Sequence, residues 1–503
     1  MAANTASRVS EDLAFSDNPP AYLTLSYRWG EKPQKLLLKC SNIHEFRSGL
    51  KLKSLPRTFQ DLIFVLGRFS IRYFWIDALC IIQDSAKDWN IESSLMGYVY
   101  GNSACNIMAC ASDDPQGGLF RDRDNTDPTL MPGVVAQPIL ATEKGNHFIF
   151  EKEFWNKRVR HGSLHNRGWI FQERLLAPRV LYFTEDQVMW ECLCETKCET
   201  FPEGIPYNRS LKKLDVLWQE NSPDDVNGQS NMPLFTAWNK LVKEYSQCTF
   251  TVVSDKLPAF SGVSRLFEDV SGDEYLAGLW KSRLLEQLDW RVLLPVQRVS
   301  SGYMAPSWSW AAVNGQVIPY GMTSDTELLV ALRGVKVKHD GTNFHGKLSS
   351  AKLCINGALL PASVIEYEPE LPRGRFVIDN PTHSPRACRV HGQFFRDSLS
   401  IGIEIGKMVF LLPIKSDTGP GGDKVVVCLV LEPVLVPSSQ TFRRIGLVII
   451  SDQELILDDD AENSKGRRCF RNVFEYASRR RPRRFWKLVS ESLRTKARDV
   501  HLI

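Results

Sequence analysis

The feature that most constrains this chain is the alternation of short β-rich runs with amphipathic helices between residues 22 and 111. The run 22–30, YLTLSYRWG, is β-branched and aromatic and stops at Gly30, which predicts a buried strand followed by a turn. Leu55, Phe59, Leu62, Ile63, Leu66 and Phe69 then recur at helical spacing, with Ser54 as candidate N-cap and Pro56 in the first turn. The next apolar run, 71–82 (IRYFWIDALCII), carries Asp77 inside it, and residues 83–85 open a loop. Asp88 is placed to cap a helix over 89–100, with Ile91, Leu95, Met96 and Val99 on one face and Gly101 and Asn102 as the stop. Residues 105–111 form a third short strand. Strand–helix–strand–helix–strand implies an α/β fold with a parallel sheet covered by helices. Ligands bind such sheets at the C-terminal ends of the strands, which is where Ser26, Arg28 and Trp29 fall.

At 503 residues the chain is too long for one core, so two or three domains are expected. With 43% hydrophobic and 24% charged residues it has the composition of a soluble globular protein. A net charge of +4 is too slight to argue for nucleic acid as a partner of the whole chain. No run approaches the ~18 apolar residues of a membrane span. The first twenty residues lack a signal-peptide core, so an intracellular, cytoplasmic protein is expected. The twelve scattered cysteines fit reduced core thiols better than a disulfide framework.

Residues 112–150 form a long Asp/Pro/Gly-rich loop with room for one hairpin. A helix over 168–176 follows, then strands at 180–183 and 188–190 joined by a polar turn at 184–187. The stretch 199–230 is polar and linker-like. A helix over 234–246 buries Leu234, Trp238, Leu241, Val242 and Tyr245, further helical segments occupy 257–290, and 305–312 (APSWSWAA) sets two tryptophans beside a proline. From about 325, alternating runs separated by Gly/Pro/Asp loops indicate an antiparallel β domain, with 419–423 as a turn. The chain ends in a basic run, 479–487 (RRRPRRFWK), and a short helix. That run is a nuclear-targeting candidate, against the commoner case of a solvated tail. Cys192, Cys194 and Cys198 with His161 and His165 lack the spacing and the fourth ligand of a zinc site, so no metal is expected.

The segment 166–176, NRGWIFQERLL, holds the densest chemistry. Trp169 and Glu173 are four apart and share a helix face, and an acid held against an indole is an environment that tunes a carboxylate. The plainer alternative is a surface glutamate paired with Arg167 or Arg174. Gln172 points either to solvent or to the same pocket. Asp77 is either a ligand-contacting acid or a strand-end acid that caps a backbone group. Ser26 has no histidine or acid spaced in sequence to make it a nucleophile.

Three blocks, YLTLSYRWG, then LPRTFQDLIFVLGRFSIRYFWIDALCIIQDSAKDW, then NRGWIFQERLLAPRVLYFTEDQVMWEC, occur in the order of the signature blocks of the fungal heterokaryon-incompatibility (HET) domain, which they resemble. The later pieces TVVSDKLPAFSGVS, EYLAGLW and APSWSWA resemble the segment that usually follows that domain. The resemblance implies a flavodoxin-like, distantly TIR-like HET domain over 21–198 after a loose lead-in at 1–20. A mostly helical extension at 199–324, a β-rich domain at 325–460 and a basic tail at 461–503 follow. It implies an effector of non-self recognition and programmed cell death, with self-association and a separate incompatibility protein as expected partners, and neither membrane nor nucleic acid. Some TIR-type domains hydrolyse NAD with a glutamate one turn after a tryptophan. By that likeness Glu173 is the catalytic candidate, and Ser26, Arg28, Trp29, Asp77, Trp169 and Gln172 line the substrate site, with NAD as substrate and no cofactor. The chain lacks a Gly-x-Gly-x-x-Gly loop after the first strand, which argues against hydride transfer. The alternative is a HET module that oligomerises and signals without chemistry.

Overall fold

The computed structural model describes residues 19–31, 36–122, 134–136, 147–149, 153–160, 162, 164–205, 212, 232–296, 302–319, 321, 326–341, 343–368, 373–378, 388–418, 424–434, 441–451 and 498–503. The lead-in up to residue 18, most of 199–230, His161, the turn at 419–423 and the basic run at 479–487 lie outside the described residues. The chain divides into two compact units. The first comprises Met1–Ser222, Cys248–Thr251 and Pro258–Leu266, and the second Pro223–Gln247, Val252–Leu257 and Phe267–Ile503.

In the first unit, β1 (Tyr22–Ser26) is followed by helices α1 (Ile43–Ser48) and α2 (Arg57–Phe69), strand β2 (Tyr73–Trp75), the short α3 (Asp77–Cys80), α4 (Ala86–Gly101) and β3 (Cys105–Ala109). A small antiparallel pair, β4 (Val134–Ala136) and β5 (His147–Ile149), stands in the long loop. Then come α5 (Gly168–Leu176), β6 (Arg179–Phe183), β7 (Val188–Cys192) and β8 (Thr196–Cys198). The sheet order is β2-β1-β3-β6-β7-β8. The first four strands are mutually parallel, and β7 and β8 extend the edge as antiparallel strands. The order reverses direction at β1, so the crevice beyond the C-terminal ends of β1 and β3 is the place where such a sheet takes ligands. Leu23, Leu25, Ile107 and Ala109 alternate with Thr24, Ser26 and Asn106, and all seven are buried, as strands covered on both faces require.

Several helix details depart from the sequence expectation. α2 is capped at Pro56, and Ser54 belongs to a preceding single turn (Leu52–Ser54); the left-handed Ser70 closes the helix one residue after an exposed Phe69. α4 is capped by Ser85, whose hydroxyl accepts from Asp88 N at 3.2 Å, while Asp88 itself accepts from Ile82 N at 2.8 Å. Its inward face is Ser93, Met96 and Tyr100, and Ile91 and Leu95 are exposed. The reason is a close helix crossing. A Cβ on Gly97 would meet the Cα of Gly262 at 2.7 Å, so α4 must turn its smallest residue toward the segment Pro258–Leu266. That requirement overrides the apolar pattern.

The second unit opens with α6 (Met232–Tyr245), which buries Leu234, Trp238, Leu241, Val242 and Tyr245 as its spacing predicts. Helix α7 (Ser261–Ser271) gives its residues from Phe267 onward to this unit. The 257–290 stretch is only partly helical: after α7 it holds a two-residue hairpin, β9 (Tyr275–Leu276) and β10 (Leu279–Trp280), and single turns. Around them Trp238 packs edge-on to Trp280 at 4.9 Å, and Phe267 stacks on Trp280 at 4.5 Å. Both tryptophans of APSWSWAA are buried; Trp310 Nε1 donates to Gly278 O at 2.6 Å, and Trp308 O accepts from Trp290 Nε1 at 3.0 Å. A second pair, β11 (Arg291–Val292) and β12 (Val317–Ile318), precedes a ten-stranded sheet. Its strands are β13 (Glu327–Leu328), β14 (Ala331–His339), β15 (Leu348–Gly357), β16 (Leu360–Glu368), β17 (Arg373–Ile378), β18 (Cys388–Arg396), β19 (Met408–Thr418), β20 (Lys424–Pro433), β21 (Thr441–Ser451) and β22 (Arg498–Leu502). Pairing is antiparallel except between β21 and β22. β22 occupies 498–502; the stretch 488–497, where the short terminal helix is expected to begin, lies outside the described residues. Val500 and Leu502 are buried while Asp499 is exposed, the period-2 pattern of a strand, and β15 pairs with it along five residues. Among the described residues, no helix is long and apolar enough to cross a membrane.

The glycine crossing yields a paired prediction. Gly97→Ala should destabilise the protein by about 1–3 kcal/mol through overpacking. Gly67→Ala, on an exposed helical position where an added Cβ meets nothing within 4 Å, should be neutral or stabilising by up to about 1 kcal/mol. Urea unfolding of the two variants measures both; equal stabilities would remove the packing argument.

Candidate functional site

The site begins with a polar residue in an apolar strand. Asn106 of β3 is fully buried beside β1, in register with Thr24. Its Oδ1 accepts from Thr24 Oγ1 at 3.1 Å, and its Nδ2 donates to Ser26 Oγ at 3.0 Å. Ser26 Oγ in turn donates to Glu173 Oε2 at 2.5 Å. A chain of hydrogen bonds therefore runs from the sheet interior to the carboxyl of α5, each link oriented by the one before it.

Helix α5 is held where that contact needs it. The bond from Arg167 NH1 to Tyr27 O, 3.0 Å, ties its N-cap residue to the chain just past β1. Gln172 Oε1 accepts from Gly262 N at 3.1 Å. The buried Lys212 ammonium donates to Leu175 O and Ala177 O, satisfying carbonyls at the helix C-terminus with a positive charge; burial pushes its pKa down to about 8. Thr249 pairs alongside Arg167, with Gly168 N donating to Thr249 O at 3.1 Å. Phe250 then lies so close that a Cβ on Gly168 would fall 1.9 Å from its ring. Glycine at the first position of α5 is what admits this segment.

A cleft of about 570 Å³ opens against these groups, within the size range of small-molecule sites. Its walls include the rings of Tyr27, Trp29, Trp89, Tyr100 and Trp169, and Trp89 meets Trp169 edge-on at 6.1 Å. Glu31, Asp77 and Glu173 are its acids, and Arg28 and Arg167 its arginines. Asp77 Oδ2 accepts from Trp29 Nε1 at 2.9 Å and Oδ1 from Ala78 N at 2.6 Å, so this acid both satisfies a first-turn N–H of α3 and faces the cleft. Arg28 NH1 is engaged by Asp113.

Burial pushes the Glu173 carboxyl up to about 7. The Ser26 hydrogen bond opposes this, the nearby Asp77 charge adds to it, and the bond from Tyr100 and the charge of Arg167 oppose it. Asp77 is raised as well, by burial, against the pull of Trp29, Ala78, Tyr27 and Arg167. Glu173 is thus close to half ionised at neutral pH, the state suited to giving or taking a proton or to switching on a charge beside a ligand.

Of the residues singled out from sequence, Arg28, Trp29, Asp77, Trp169 and Glu173 line one cleft, and Ser26 reaches it through Glu173. Gln172 does not line it. Its side chain is buried against Gly262 because, one residue before Glu173, it projects about 100° away around the helix. Asn106, Tyr100, Trp89, Thr249 and Thr251 were not singled out, and Arg167 was read only as a partner for Glu173. A lone asparagine inside CNIMA was a usable signal; Thr249 and Thr251, some 75 residues beyond α5, carried none. Among the described lining residues there is no histidine, so Ser26 has no base of the triad kind. Among the described residues no group of three His, Cys, Asp or Glu side chains is arranged to hold a metal ion.

The raised carboxyl has a stability consequence with a definite sign. The folded state holds the Glu173 proton more tightly than an unfolded chain with its value of 4.5, so stability falls as pH rises from there to about 7. Glutamine mimics the protonated form. Glu173→Gln should therefore match wild type near pH 4.5 and exceed it above pH 7, by up to about 3 kcal/mol from the gap between 4.5 and 7. Thermal unfolding of both proteins at pH 5 and 8 reads this; a gap that does not widen with pH would show that Glu173 is not buried as described.

Residues 22–173 match the family model described as heterokaryon incompatibility protein (HET). No curated protein and no solved structure gives a significant match to the chain. The matched segment runs from the first residue of β1 to Glu173, and so contains the hydrogen-bond chain in full. The match identifies residues 22–173 as a heterokaryon-incompatibility (HET) domain and does not extend to the rest of the chain.

Proposed function

We propose that this HET domain is an effector of fungal non-self recognition and programmed cell death, acting by hydrolysis of NAD or a related nucleotide in the cytoplasm. The observation that carries this reading is the Glu173 carboxyl, buried and pushed to about 7, in a cleft walled by tryptophans. The parallel order β2-β1-β3-β6 supports a flavodoxin-like, TIR-like placement of that cleft at the switch point beside β1.

In the proposed reaction the bond between ribose C1′ and the nicotinamide nitrogen breaks, and its electron pair leaves with the ring, cancelling the ring's positive charge. The ribose becomes an oxocarbenium-like cation. Ionised Glu173 places negative charge beside that cation and accepts from ribose hydroxyls. Water adds at C1′ and gives up a proton, which the carboxylate can take. Trp29 and Trp169 offer ring surfaces for stacking, and Ser26 stabilises the ionised carboxylate by donating to it.

Nicotinamide release from NAD by the full chain, followed by chromatography, tests this. Activity should rise with pH with a midpoint near 7, and Glu173→Gln should lower it by about 100-fold or more. Ser26→Ala removes a bond that favours the ionised form, so it should move the midpoint to higher pH. Absence of nicotinamide release by the wild type, or equal release by Glu173→Gln, would defeat the hydrolase reading. A second reading, signalling by self-association without chemistry, is favoured by the exposed Ile91, Leu95 and Tyr98 along one face of α4. Cell killing on induced expression that survives Glu173→Gln but not Leu95→Lys would establish it, with a separate incompatibility protein as the expected trigger.

A further inference from the structure

The cleft contains two arginines in different states. Arg28 is committed to Asp113. Arg167 spends NH1 on Tyr27 O at 3.0 Å, and among the described residues its guanidinium makes no other hydrogen bond. A guanidinium carries five N–H donors in a planar fork, so most of Arg167's donors remain open while it lines the cleft. Thr249 lies directly alongside it by the backbone bridge, and Thr251 lines the same wall. The Thr249 hydroxyl donates to Asn166 O at 3.0 Å, but that carbonyl also accepts Thr249 N at 2.5 Å. Turning the hydroxyl into the cleft therefore leaves no carbonyl unsatisfied. Thr251 is exposed and its hydroxyl makes no hydrogen bond among the described residues.

We infer that Arg167, with the hydroxyls of Thr249 and Thr251, binds a phosphoryl group of the ligand that enters the cleft. A planar fork and two neighbouring hydroxyls match a tetrahedral oxyanion, which takes a bidentate guanidinium and has oxygens left for further donors. Of the three acids that line the cleft, Asp77 and Glu173 are the buried pair left to the ribose end of the ligand. Both threonines lie beyond residues 22–173, so the anion subsite is completed by the returning segment Cys248–Thr251 and is absent from the matched segment alone. The inference rests on reading the cleft as a nucleotide site, and names the group by which a nucleotide is recognised there. The competing role for Arg167 is that of a counter-charge to Asp77 and Glu173, whose carboxyls it holds toward the ionised form.

Calorimetric titration of the full chain with nicotinamide mononucleotide and with nicotinamide riboside separates these roles, because the two ligands differ by one phosphoryl group. The wild type should bind the mononucleotide at least about tenfold more tightly, the effect of a charge-assisted hydrogen bond. Arg167→Gln should abolish that preference, read as the ratio of the two affinities within the variant, since loss of the Arg167–Tyr27 tie weakens both ligands alike. Arg167→Lys should keep part of the preference, and Thr251→Val should reduce it by about two- to fivefold. Riboside affinity and the thermal transition report whether each variant keeps its fold. An unchanged preference in Arg167→Gln, or no preference in the wild type, overturns the inference and leaves Arg167 as a counter-charge. Parallel measurement of nicotinamide release keeps the two readings apart. Phosphate-dependent binding without release sinks the hydrolase and keeps the subsite. Release with a KM for NAD unmoved by Arg167→Gln does the reverse.

Discussion

The hydrogen bond from Ser26 to Glu173 is the contact on which the candidate site depends. It joins the end of β1 to the middle of α5, 147 residues later, and it is made only because Asn106 orients the serine from the neighbouring strand. A carboxyl taken out of water is costly unless its lone pairs are met, and here one oxygen is met by a donor that is itself held by a buried amide. The parallel order that sets β3 against β1 is thus a condition of the chemistry as well as of the core. So are the ties that fix α5 along its length: Arg167 to Tyr27 at its start, Gln172 to Gly262 in its middle and Lys212 at its end.

The arrangement is a compromise between stability and electrostatics. Asp77 and Glu173 are buried in one cleft, and the Asp77 charge raises the cost of ionising Glu173. A core designed for stability alone would carry glutamine or an apolar residue at position 173. The fold instead keeps an ionisable group there, with a serine, a tyrosine and an arginine partly offsetting its burial. Sites that hold a titratable group close to neutrality are commonly those where a proton or a charge is put to use.

Much of the framework was legible from local pattern. The observed α5, Gly168–Leu176, has the bounds expected from the sequence, and the i, i+4 spacing of Trp169 and Glu173 puts both on the cleft. Asp77 accepts from the backbone N–H of Ala78, the strand-end reading, and also lines the cleft. What was not legible depends on distant partners. Arg28 was read as a substrate-site residue, and its engagement by Asp113, 85 residues later, left no local trace in the sequence. Gln172 was drawn inward by Gly262, ninety residues away in sequence. The apolar face of α4 was misread because a glycine contact, which hydrophobic spacing does not register, decides which side goes in. The strand β22 was not foreseen, because its five residues show their alternation only beside β15.

Burial inside a formed cleft holds the Glu173 carboxyl up to about 7, far above its ordinary value. Difference infrared titration, wild type minus Glu173→Gln, observes that group directly through the carbonyl stretch of its protonated form. The structure predicts a band that is present at pH 5 and lost with a midpoint near 7. A midpoint near the ordinary 4.5 would contradict the account, because it would place Glu173 in water and dissolve the hydrogen-bond chain that builds the site.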